Sequence, residues 1–402
     1  MSEISFVIPS YNNLRYLKNV YRSIRTHCGD ERHEIIVLDD ASTDGTIEWL
    51  RSLKDQNLTI WTNDTGERYG HTITYNIGVR IAKNPIFSIL HADMFVGPNY
   101  VKNILKHLDR GKVVSATRIE PPLHPSGKEK ITKDFGMWPE DFKENDFLEF
   151  VDQEQQNSKD KTTRGIFAPW AMYREDFLSI GGHDPLFAPF PYEDSDIFQR
   201  FILAGYEIIQ SRDSLVYHLT CRGHKWTDND ELGKVDDSFE AAEIKARKNY
   251  IRKWNSWIGN DEYGYPILYP KYDVGLIVKN CTPQMLSSLE PWCSRIWVDW
   301  DSADRQGYIE KEQPNTNYDL TKRIQSIKLS KNLNLPEMDP PDVLVTLDAN
   351  EVTNEDFINL QRMGLILRDI EKELDVTGEY ELGNLRVNIN KLDNILSELT
   401  VC

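Results

Sequence analysis

The segment EIIVLDDASTDGTIEWL, residues 34–50, contains a strand pattern, a polar turn and a helix pattern in direct succession. Its opening run Glu34-Ile35-Ile36-Val37-Leu38 is rich in β-branched residues, which is typical of a buried strand. Asp39 and Asp40 end this run, and the following Ser42-Thr43-Asp44-Gly45-Thr46 contains side chains that favour a helix start. The segment therefore predicts a strand that ends in two acidic groups and leads into a helix.

The same alternation continues on both sides of this segment. We predict strands over residues 4–8, 58–61 and 85–90, and helices over residues 14–26 and 72–82. Strands that alternate with helices form a largely parallel sheet, and such sheets bind ligands at the carboxyl ends of their strands. Polar clusters stand at three of those ends: Pro9-Ser10-Tyr11-Asn12, Asp39-Asp40 and His91-Ala92-Asp93. The sequence thus predicts an α/β fold with one polar edge.

The chain is long enough for more than one domain, since 402 residues correspond to two or three domains of ordinary size. We predict a first α/β domain over residues 1–258, a linker over residues 259–272 and a smaller α/β domain over residues 273–402. Residues 120–165 are polar and predict an insertion or mobile loop, with a short helix near residues 139–147. In the last domain, three tryptophans would form either a sugar-stacking surface or a core: Trp292, Trp297 and Trp300.

Charge and cysteine content exclude several classes of protein. The formal net charge of −17 repels phosphate backbones, so we do not expect nucleic acid as a partner. No run approaches the ~18 apolar residues of a membrane-spanning helix, and the first residues do not resemble a signal peptide. Five cysteines without a CxxC pair predict free thiols in a reducing compartment. We therefore expect a cytoplasmic protein without an integral membrane segment.

His91 and Asp93 form a candidate metal site. Residues two apart in an extended segment face the same way, so both side chains would bind one divalent ion. An imidazole with a carboxylate suits Mn²⁺, and Mg²⁺ would be held together with waters and a phosphate. The alternative is a strand-end turn in which Asp93 caps a backbone N–H.

A second polar group lies further along the chain. Glu193-Asp194-Ser195-Asp196 precedes a predicted helix, and we expect Asp196 to cap that helix while Glu193 and Asp194 face a ligand. The alternative is that the whole cluster serves as a helix start. His218 ends a predicted strand at residues 215–217, where a lone histidine is either a ligand or a structural residue.

Residues 3–225 contain segments that, in this order, resemble the GT-A glycosyltransferases of family 2. The resembling segments are Phe6–Asn12, Ile36–Thr46, Asn76–Gly78 with Ile89–Asp93, and Met172–Phe177 with Gly181–Asp184 and Glu193–Asp196. The resemblance implies a GT-A, Rossmann-like nucleotide-diphospho-sugar transferase fold. It does not extend to the last part of the chain.

The resemblance also implies how a donor would be bound. Pro9 and Tyr11 would border the base of a nucleotide-sugar, and Asp40 would hydrogen-bond the base or the ribose. Asp93 would bind Mn²⁺ or Mg²⁺, directly or through water, at the position of the family's D-x-D motif. The first acid of that motif is His91 here, so we expect a metal affinity that is weakened or shared with His218 and His224.

For the reaction, the resemblance assigns Asp194 as the general base that takes the proton of the acceptor hydroxyl. Glu193 would bind the acceptor sugar. Trp170 would either stack on a sugar face or belong to the core. The reaction implied is an inverting, metal-dependent transfer by a hexosyltransferase, with a UDP-sugar as the expected donor.

Two other functions remain open at this stage. The same fold would serve a non-catalytic protein that binds nucleotide-sugars or carbohydrates, and His91 is the residue that favours this alternative. A transferase that acts on modified DNA bases is the other, and the negative charge argues against it. The acceptor would be a carbohydrate, a lipid-linked sugar or a protein, and a homo-oligomer is compatible with the sequence.

Overall fold

The computed structural model describes residues 2–28, 32–220, 226–228, 231–235, 237–300, 302–327, 340–372 and 376–398. The chain divides into two compact units: Met1–Glu243 with Gly259–Ile267, and Ile244–Ile258 with Leu268–Thr400. The sequence analysis placed residues 244–258 in the first domain, whereas the structure groups them with the second unit. One contact that binds residues 244–258 to the second unit is the ion pair of Arg252 with Glu290, in which Nη2 lies 2.6 Å from Oε2.

The first unit contains one large mixed sheet and a separate hairpin. Its strands are β1 (Ile4–Ser10), β2 (Glu34–Asp39), β3 (Leu58–Thr62), β4 (Ile86–Ile89), β5 (Met94–Val96), β6 (Lys112–Glu120), β7 (Lys130–Thr132), β8 (Thr162–Thr163), β9 (Trp170–Tyr173), β10 (Glu207–His218), β11 (Trp226–Asp228) and β12 (Glu231–Val235). Its helices are α1 (Leu14–His27), α2 (Thr46–Ser52), α3 (His71–Ile81), α4 (Tyr100–Leu105), α5 (Glu144–Asn157), α6 (Arg174–Ser179) and α7 (Glu193–Leu203), and α8 (Asp237–Trp254) begins here and continues into the second unit.

The order of the main sheet is β3-β2-β1-β4-β9-β6-β10-β5, with β7 beside β6 and β8 beside β10. Strands β1 to β4 pair in parallel, β9 runs antiparallel between β4 and β6, and β5 pairs antiparallel with β10. The predicted α/β fold with a parallel-rich sheet is therefore confirmed.

The register of the parallel strands brings the polar clusters to one edge. Ser10 pairs with Asp39, and Val7 pairs with Ile89. The residues that follow these strands, from Tyr11, Asp40 and Leu90 onward, consequently leave the sheet on the same side. This edge contains the candidate site.

Helix α3 packs closely on the sheet at Gly78. A Cβ added there would lie 2.4 Å from Val7 Cγ1 and 2.9 Å from Leu38 Cδ2. Both distances are far below van der Waals contact, so a side chain at this position would push the helix away from β1 and β2. The absence of a side chain at residue 78 thus lets α3 pack closely on β1 and β2.

The segment at residues 120–165 differs from the sequence expectation of a mobile loop. It contains β7, the fourteen-residue helix α5 and β8, and the helix begins at Glu144 rather than near residue 139. Phe135 and Phe147 are buried in a cluster with Phe95 and Tyr217. These aromatic contacts join distant parts of the chain, which explains why local polarity alone predicted a loop.

The second unit is a smaller α/β structure, as predicted. Its strands are β13 (Val274–Lys279), β14 (Arg295–Val298), β15 (Ile324–Ser326), β16 (Val343–Asp348), β17 (Gly378–Leu382) and β18 (Leu385–Ile389). Its remaining helices are α9 (Pro283–Leu289), α10 (Ser302–Glu312), α11 (Leu320–Arg323), α12 (Asn354–Gln361) and α13 (Met363–Glu371). The sheet order is β15-β14-β13-β16-β18-β17. Helices α12 and α13 are separated at Arg362, and the β17–β18 hairpin was not predicted.

Trp292 and Trp297 are buried, which favours the core alternative for these side chains. Trp300 is partly buried, and its indole N–H donates to the carbonyl oxygen of Cys281 at 2.6 Å. Of the two alternatives, the sugar-stacking surface does not fit Trp292 and Trp297, because their rings are enclosed by protein.

Free thiols were expected, and Cys28, Cys281 and Cys293 are free and buried. Cys221 and Cys402 lie outside the described residues. No helix within the described ranges combines the length and the apolar character that crossing a membrane requires.

The aromatic cluster under α5 generates a stability prediction. Phe147→Ala should lower the free energy of unfolding by about 3–5 kcal/mol, because it leaves a cavity in a closed core. Glu149→Ala, on the exposed side of the same helix, should change it by no more than about 0.5 kcal/mol. Urea unfolding followed by circular dichroism measures both variants. Equal effects of the two substitutions would contradict the packed description of this segment.

Candidate active site

His91, Asp93 and His218 come together at the polar edge of the main sheet. One possible ligand atom from each lies within 4.8 Å of the others, and His218 Nε2 is 3.4 Å from Asp93 Oδ1. The pairing of β10 with β5 produces this proximity, since His218 stands opposite Met94, the residue after Asp93. The rings of His91 and His218 meet edge to face at 5.4 Å between centroids. The three residues are thus a group that could hold a metal ion.

Glu120 orients His218 from the other side of its ring. The Nδ1–H of His218 donates to Glu120 Oε1 at 2.9 Å. Glu120 also accepts a hydrogen bond from Arg118 Nη1 at Oε1, at 2.8 Å, and one from Lys130 Nζ at Oε2, at 3.0 Å. Although burial opposes ionisation, these partners hold the pKa of Glu120 well below its usual range. A carboxylate behind a ligating histidine fixes the ring and directs the other nitrogen at the metal.

The same carboxylates determine the charge of His218. Burial alone would lower the pKa of His218, but the charge of Asp93 and hydrogen bonds to Asp93 and Glu120 raise it to about 9. A positive charge beside Nε2 is therefore favourable, whether a proton or a divalent cation supplies it. Two imidazoles and one carboxylate are a donor set that fits Mn²⁺. His224, the other predicted ligand, lies outside the described residues.

Glu193 and Asp194 are the first two residues of α7. Glu193 is buried, its Oε1 lies 3.9 Å from His71 Nδ1, and its Oε2 has no hydrogen-bond partner in the part of the chain that the structure describes. Asp194 is half-buried, so a substrate can reach it. Burial raises the pKa of Asp194, with the positive charge of Arg118 opposing the rise. Burial and the charge of Asp194 raise the pKa of Glu193.

Tyr75, on α3, connects the two acidic groups. Its hydroxyl is buried and has no hydrogen-bond partner among the described residues. Burial raises the pKa of Tyr75, and the charges of Asp194, Glu193 and Asp93 raise it further. These charges come from two elements, α7 and the turn before β5. His71 links the same two groups, since its ring stacks on that of His91 at 6.0 Å between centroids and its Nδ1 lies 3.9 Å from Glu193 Oε1. That Asp93 and Asp194 share one pocket stays a prediction.

Asp40 faces a loop of the protein. Asp40 Oδ1 accepts hydrogen bonds from Asn63 Nδ2 at 2.8 Å and the Tyr69 amide at 2.9 Å, and Oδ2 accepts one from the Gly70 amide at 2.7 Å. Most of its accepting capacity is used there. A contact between Asp40 and a nucleotide stays a prediction, and these bonds argue against it. The carboxylate instead organises the loop that leads into α3.

Asp39 and Arg68 stand near the end of β1, although the sequence analysis assigned neither of them a binding role. Asp39 is buried, and its Oδ1 has no hydrogen-bond partner in the described ranges. The guanidinium carbon of Arg68 lies 4.4 Å from the centroid of the Tyr11 ring and 5.1 Å from that of Phe190. Pro9 is buried within β1 opposite Leu38. The pair Asp39-Asp40 was visible in the sequence, but nothing local distinguishes which carboxylate stays available.

Trp170 is a core residue. Its side chain is 0% exposed, and it packs against Phe87, Phe177 and Phe201 at 5.7, 6.2 and 5.4 Å between ring centroids. The predicted stacking of Trp170 on an acceptor sugar is therefore wrong, because no ligand can reach a fully enclosed indole. The alternative, a core aromatic, is the correct one.

Residues 5–180 match the family model named Glycosyl transferase family 2. The matched part runs from β1 to the end of α6 and includes Asp39, Arg68, His91 and Asp93. Glu193, Asp194 and His218 lie beyond it.

Curated relatives match a similar part of the chain. Validoxylamine A glucosyltransferase of Streptomyces hygroscopicus subsp. jinggangensis is 26% identical over 238 residues, which cover 52% of this chain and 54% of that protein. The uncharacterized glycosyltransferase YfnE of Bacillus subtilis is 24% identical over 254 residues, covering 53% of this chain and 64% of that protein. The chain therefore spans between about half and two thirds of the length of these relatives.

Solved structures with a similar fold include GalNAc-T7 with UDP, GalNAc and Mn²⁺, at a TM-score of 0.46 and 15% identity over 78% of this chain and 55% of that one. S. aureus TarS 1–349 in complex with UDP-GlcNAc has a TM-score of 0.41 and 14% identity over 62% of this chain and 66% of that one. Likeness at this level says nothing about activity.

The arrangement of Glu120 behind His218 generates a prediction about metal binding. His218→Ala should abolish Mn²⁺ binding, and Glu120→Gln should weaken it by about 10- to 100-fold, because the ring loses its anchor. Glu149→Gln, an exposed change of the same kind, should bind as the unchanged protein does. Electron paramagnetic resonance of free Mn²⁺ measures all three. Unchanged affinity in His218→Ala would remove this residue from the metal site.

Proposed function

We propose that this chain, whose residues 5–180 match the model of glycosyl transferase family 2, is a metal-dependent enzyme that moves a sugar from a nucleotide-diphosphate donor to an acceptor hydroxyl with inversion. The observation that carries the proposal is the position of His71, whose ring stacks on that of His91 at 6.0 Å between centroids and whose Nδ1 lies 3.9 Å from Glu193 Oε1. The metal group and the acidic pair of α7 thus flank one imidazole. A metal group and a candidate base around one space are what a single displacement at an anomeric carbon needs.

The donor base would lie beside Tyr11, Arg68 and Asp39. The unpartnered Oδ1 of Asp39 suits an imide N–H, such as N3–H of uracil, which supports a UDP-linked donor. Arg68 Nε lies 3.9 Å from Asp40 Oδ2 and has no hydrogen-bond partner in the described part of the chain, so Asp40 would hold the guanidinium in place while it meets an anionic group of the donor. We assign the nucleotide contact to Asp39 rather than to Asp40 on this basis.

His91, Asp93 and His218 would hold the divalent cation, for which we propose Mn²⁺ or Mg²⁺. When bound, the cation supplies Lewis acidity that stabilises the negative charge of a leaving diphosphate. Glu120, Arg118 and Lys130 keep His218 in the orientation that this role requires. His91 stands in place of the first acid of the D-x-D motif, and His218 adds a second imidazole beside Asp93.

Asp194 would act as the general base. Its carboxylate is reachable, and its raised pKa makes it a better proton acceptor than an ordinary aspartate. The acceptor oxygen forms the new glycosidic bond while its proton passes to Asp194. The old bond breaks, and its electron pair leaves with the nucleotide diphosphate. Glu193 keeps its proton to higher pH, since ionised Asp194 is its neighbour, and would donate a hydrogen bond to the acceptor sugar.

The acceptor class, a cytoplasmic location and the oligomeric state stay predictions from the sequence. So do the two alternatives, a non-catalytic binding protein and a transferase for modified DNA bases. A measured turnover of any nucleotide-sugar separates the first alternative from the proposed enzyme.

Removal of the proposed base gives the first test. Asp194→Asn should lower the release of UDP from UDP-sugars, measured with Mn²⁺ present, by about 10²- to 10⁴-fold. Calorimetry should find UDP binding unchanged, because the substituted group faces the acceptor. Asp146→Asn is the matched control, since Asp146 is an exposed aspartate in the first turn of α5. Equal turnover in the two variants would exclude Asp194 as the base.

The pH profile gives a second test. The base must be ionised, so kcat/KM should rise with pH through the raised pKa of Asp194. The apparent pKa of this rise in kcat/KM should lie above the ordinary aspartate pKa of about 3.9. Mn²⁺ occupancy is measured at each pH, so that a loss of metal is not mistaken for protonation of the base. If the rise in kcat/KM had the pKa of an ordinary aspartate while the metal stayed bound at every pH, Asp194 would not be the base.

A further inference from the structure

The second unit contains a small pocket that is lined entirely by residues of this unit. Its volume is about 190 Å³, below the roughly 300–1,000 Å³ of pockets for drug-sized ligands. A ligand of one ring would therefore fill it. The pocket is lined by Asn255, Ser256, Trp257, Tyr269, Pro270, Gln361, Arg362, Gly364 and Leu365.

Two buried polar side chains line this pocket. Asn255 is 8% exposed and Ser256 is 6% exposed, and neither side chain has a hydrogen-bond partner in the described ranges. Asn255 follows the last residue of α8 with a φ of 52°, and its amide N–H donates to the Ile251 carbonyl oxygen at 2.6 Å. The backbone at this position is thus fixed, while the carboxamide is left to a ligand. Their polar ends are not among the enclosed side-chain atoms of the described residues that lack a partner, so both reach solvent and are open to a ligand.

Trp257 provides an aromatic surface at the same pocket. It is 44% exposed, which is unusual for the largest side chain. Its indole N–H donates to Gln361 Oε1 at 3.3 Å, and its ring meets Trp292 at 5.1 Å with an angle of 69°. The indole is therefore held in place, with much of its surface open to solvent.

Arg362 adds a charged donor. It lies between α12 and α13, is exposed, and its guanidinium has no ion pair or hydrogen bond within the described ranges. Close by, a Cβ at Gly364 would lie 2.4 Å from the Pro270 carbonyl oxygen, so the backbone of this wall admits no larger side chain. The pocket thus has a tightly packed wall and a free cationic group at its rim.

We propose that this pocket binds a single pyranose ring. The apolar face of a sugar packs on an aromatic ring, and its hydroxyls need several donors and acceptors at once. Trp257 and Tyr269 provide the aromatic rings, and Asn255, Ser256 and Arg362 provide the polar groups. A purely apolar ligand would leave Asn255 and Ser256 without partners. The proposal is independent of the proposed transfer reaction, because all its residues lie in the second unit.

Saturation-transfer NMR on the full chain tests this inference. The probes are the methyl pyranosides of glucose, galactose, mannose and N-acetylglucosamine, each at about 10 mM, which detects dissociation constants near 1 mM. Saturating UDP and Mn²⁺ are present, so that binding at the candidate active site is held constant. We expect at least one pyranoside to give a signal that Trp257→Ala weakens about tenfold or more.

Arg362→Ala is the second variant, because this exposed residue is replaced without disturbing the packing around Trp292. It should weaken the same signal, whereas Arg368→Ala should not. Arg368 is the matched control, since it is exposed on α13 and is engaged by Asp369 at 3.1 Å. Asp194→Asn should leave the signal intact. The proposal is overturned if no pyranoside gives a signal, or if the signal depends on Asp194 and survives both pocket substitutions.

Discussion

The candidate site depends on the buried carboxylate of Glu120. It binds His218, Arg118 and Lys130 at the same time, and so joins the end of β10 to β6 and β7. A buried charge is tolerated only when its partners are complete, so each of these three contacts supports the other two. His218 is thereby fixed with one nitrogen on Glu120 and the other beside Asp93. A single network provides both the orientation of a metal ligand and the compensation of its charge.

Neighbouring carboxylates in this chain have different surroundings. Asp40 is occupied by the amides of the loop before α3, whereas the adjacent Asp39 keeps an oxygen without a partner. Glu193 is buried, whereas Asp194 is half-buried and closer to the positive charge of Arg118. In each pair one step along the backbone changes solvation and charge together. Because of such differences, two chemically similar carboxylates can take different roles. Asp40 fixes a loop while Asp39 keeps an oxygen for a ligand in our proposal, and Glu193 stays protonated to higher pH than Asp194.

The second unit has its own buried charges. Glu290 is enclosed between Arg252 and Arg323, at 2.6 and 2.9 Å, and Arg252 also reaches Glu312. This network ties the end of α8 to the unit that contains β13 and β14, and the segment after α8 carries Asn255, Ser256 and Trp257. The pocket proposed for a pyranose is consequently built on a rigid base, and an ordered backbone lowers the entropy cost of binding a small ligand.

Alternating apolar runs and turn residues were enough to predict the α/β fold, the strands β1 to β4, and the helices α1 and α3. The same local signals identified His91, Asp93 and the acidic pair of α7 as candidates. Tertiary structure decided the rest: that Trp170 is enclosed, that residues 120–165 pack through Phe135 and Phe147, and that Asp40 is occupied while Asp39 is available. Periodicity and capping act between residues a few positions apart and are visible in sequence. Burial and hydrogen-bond occupancy depend on residues far apart in the chain, and only folding brings those together.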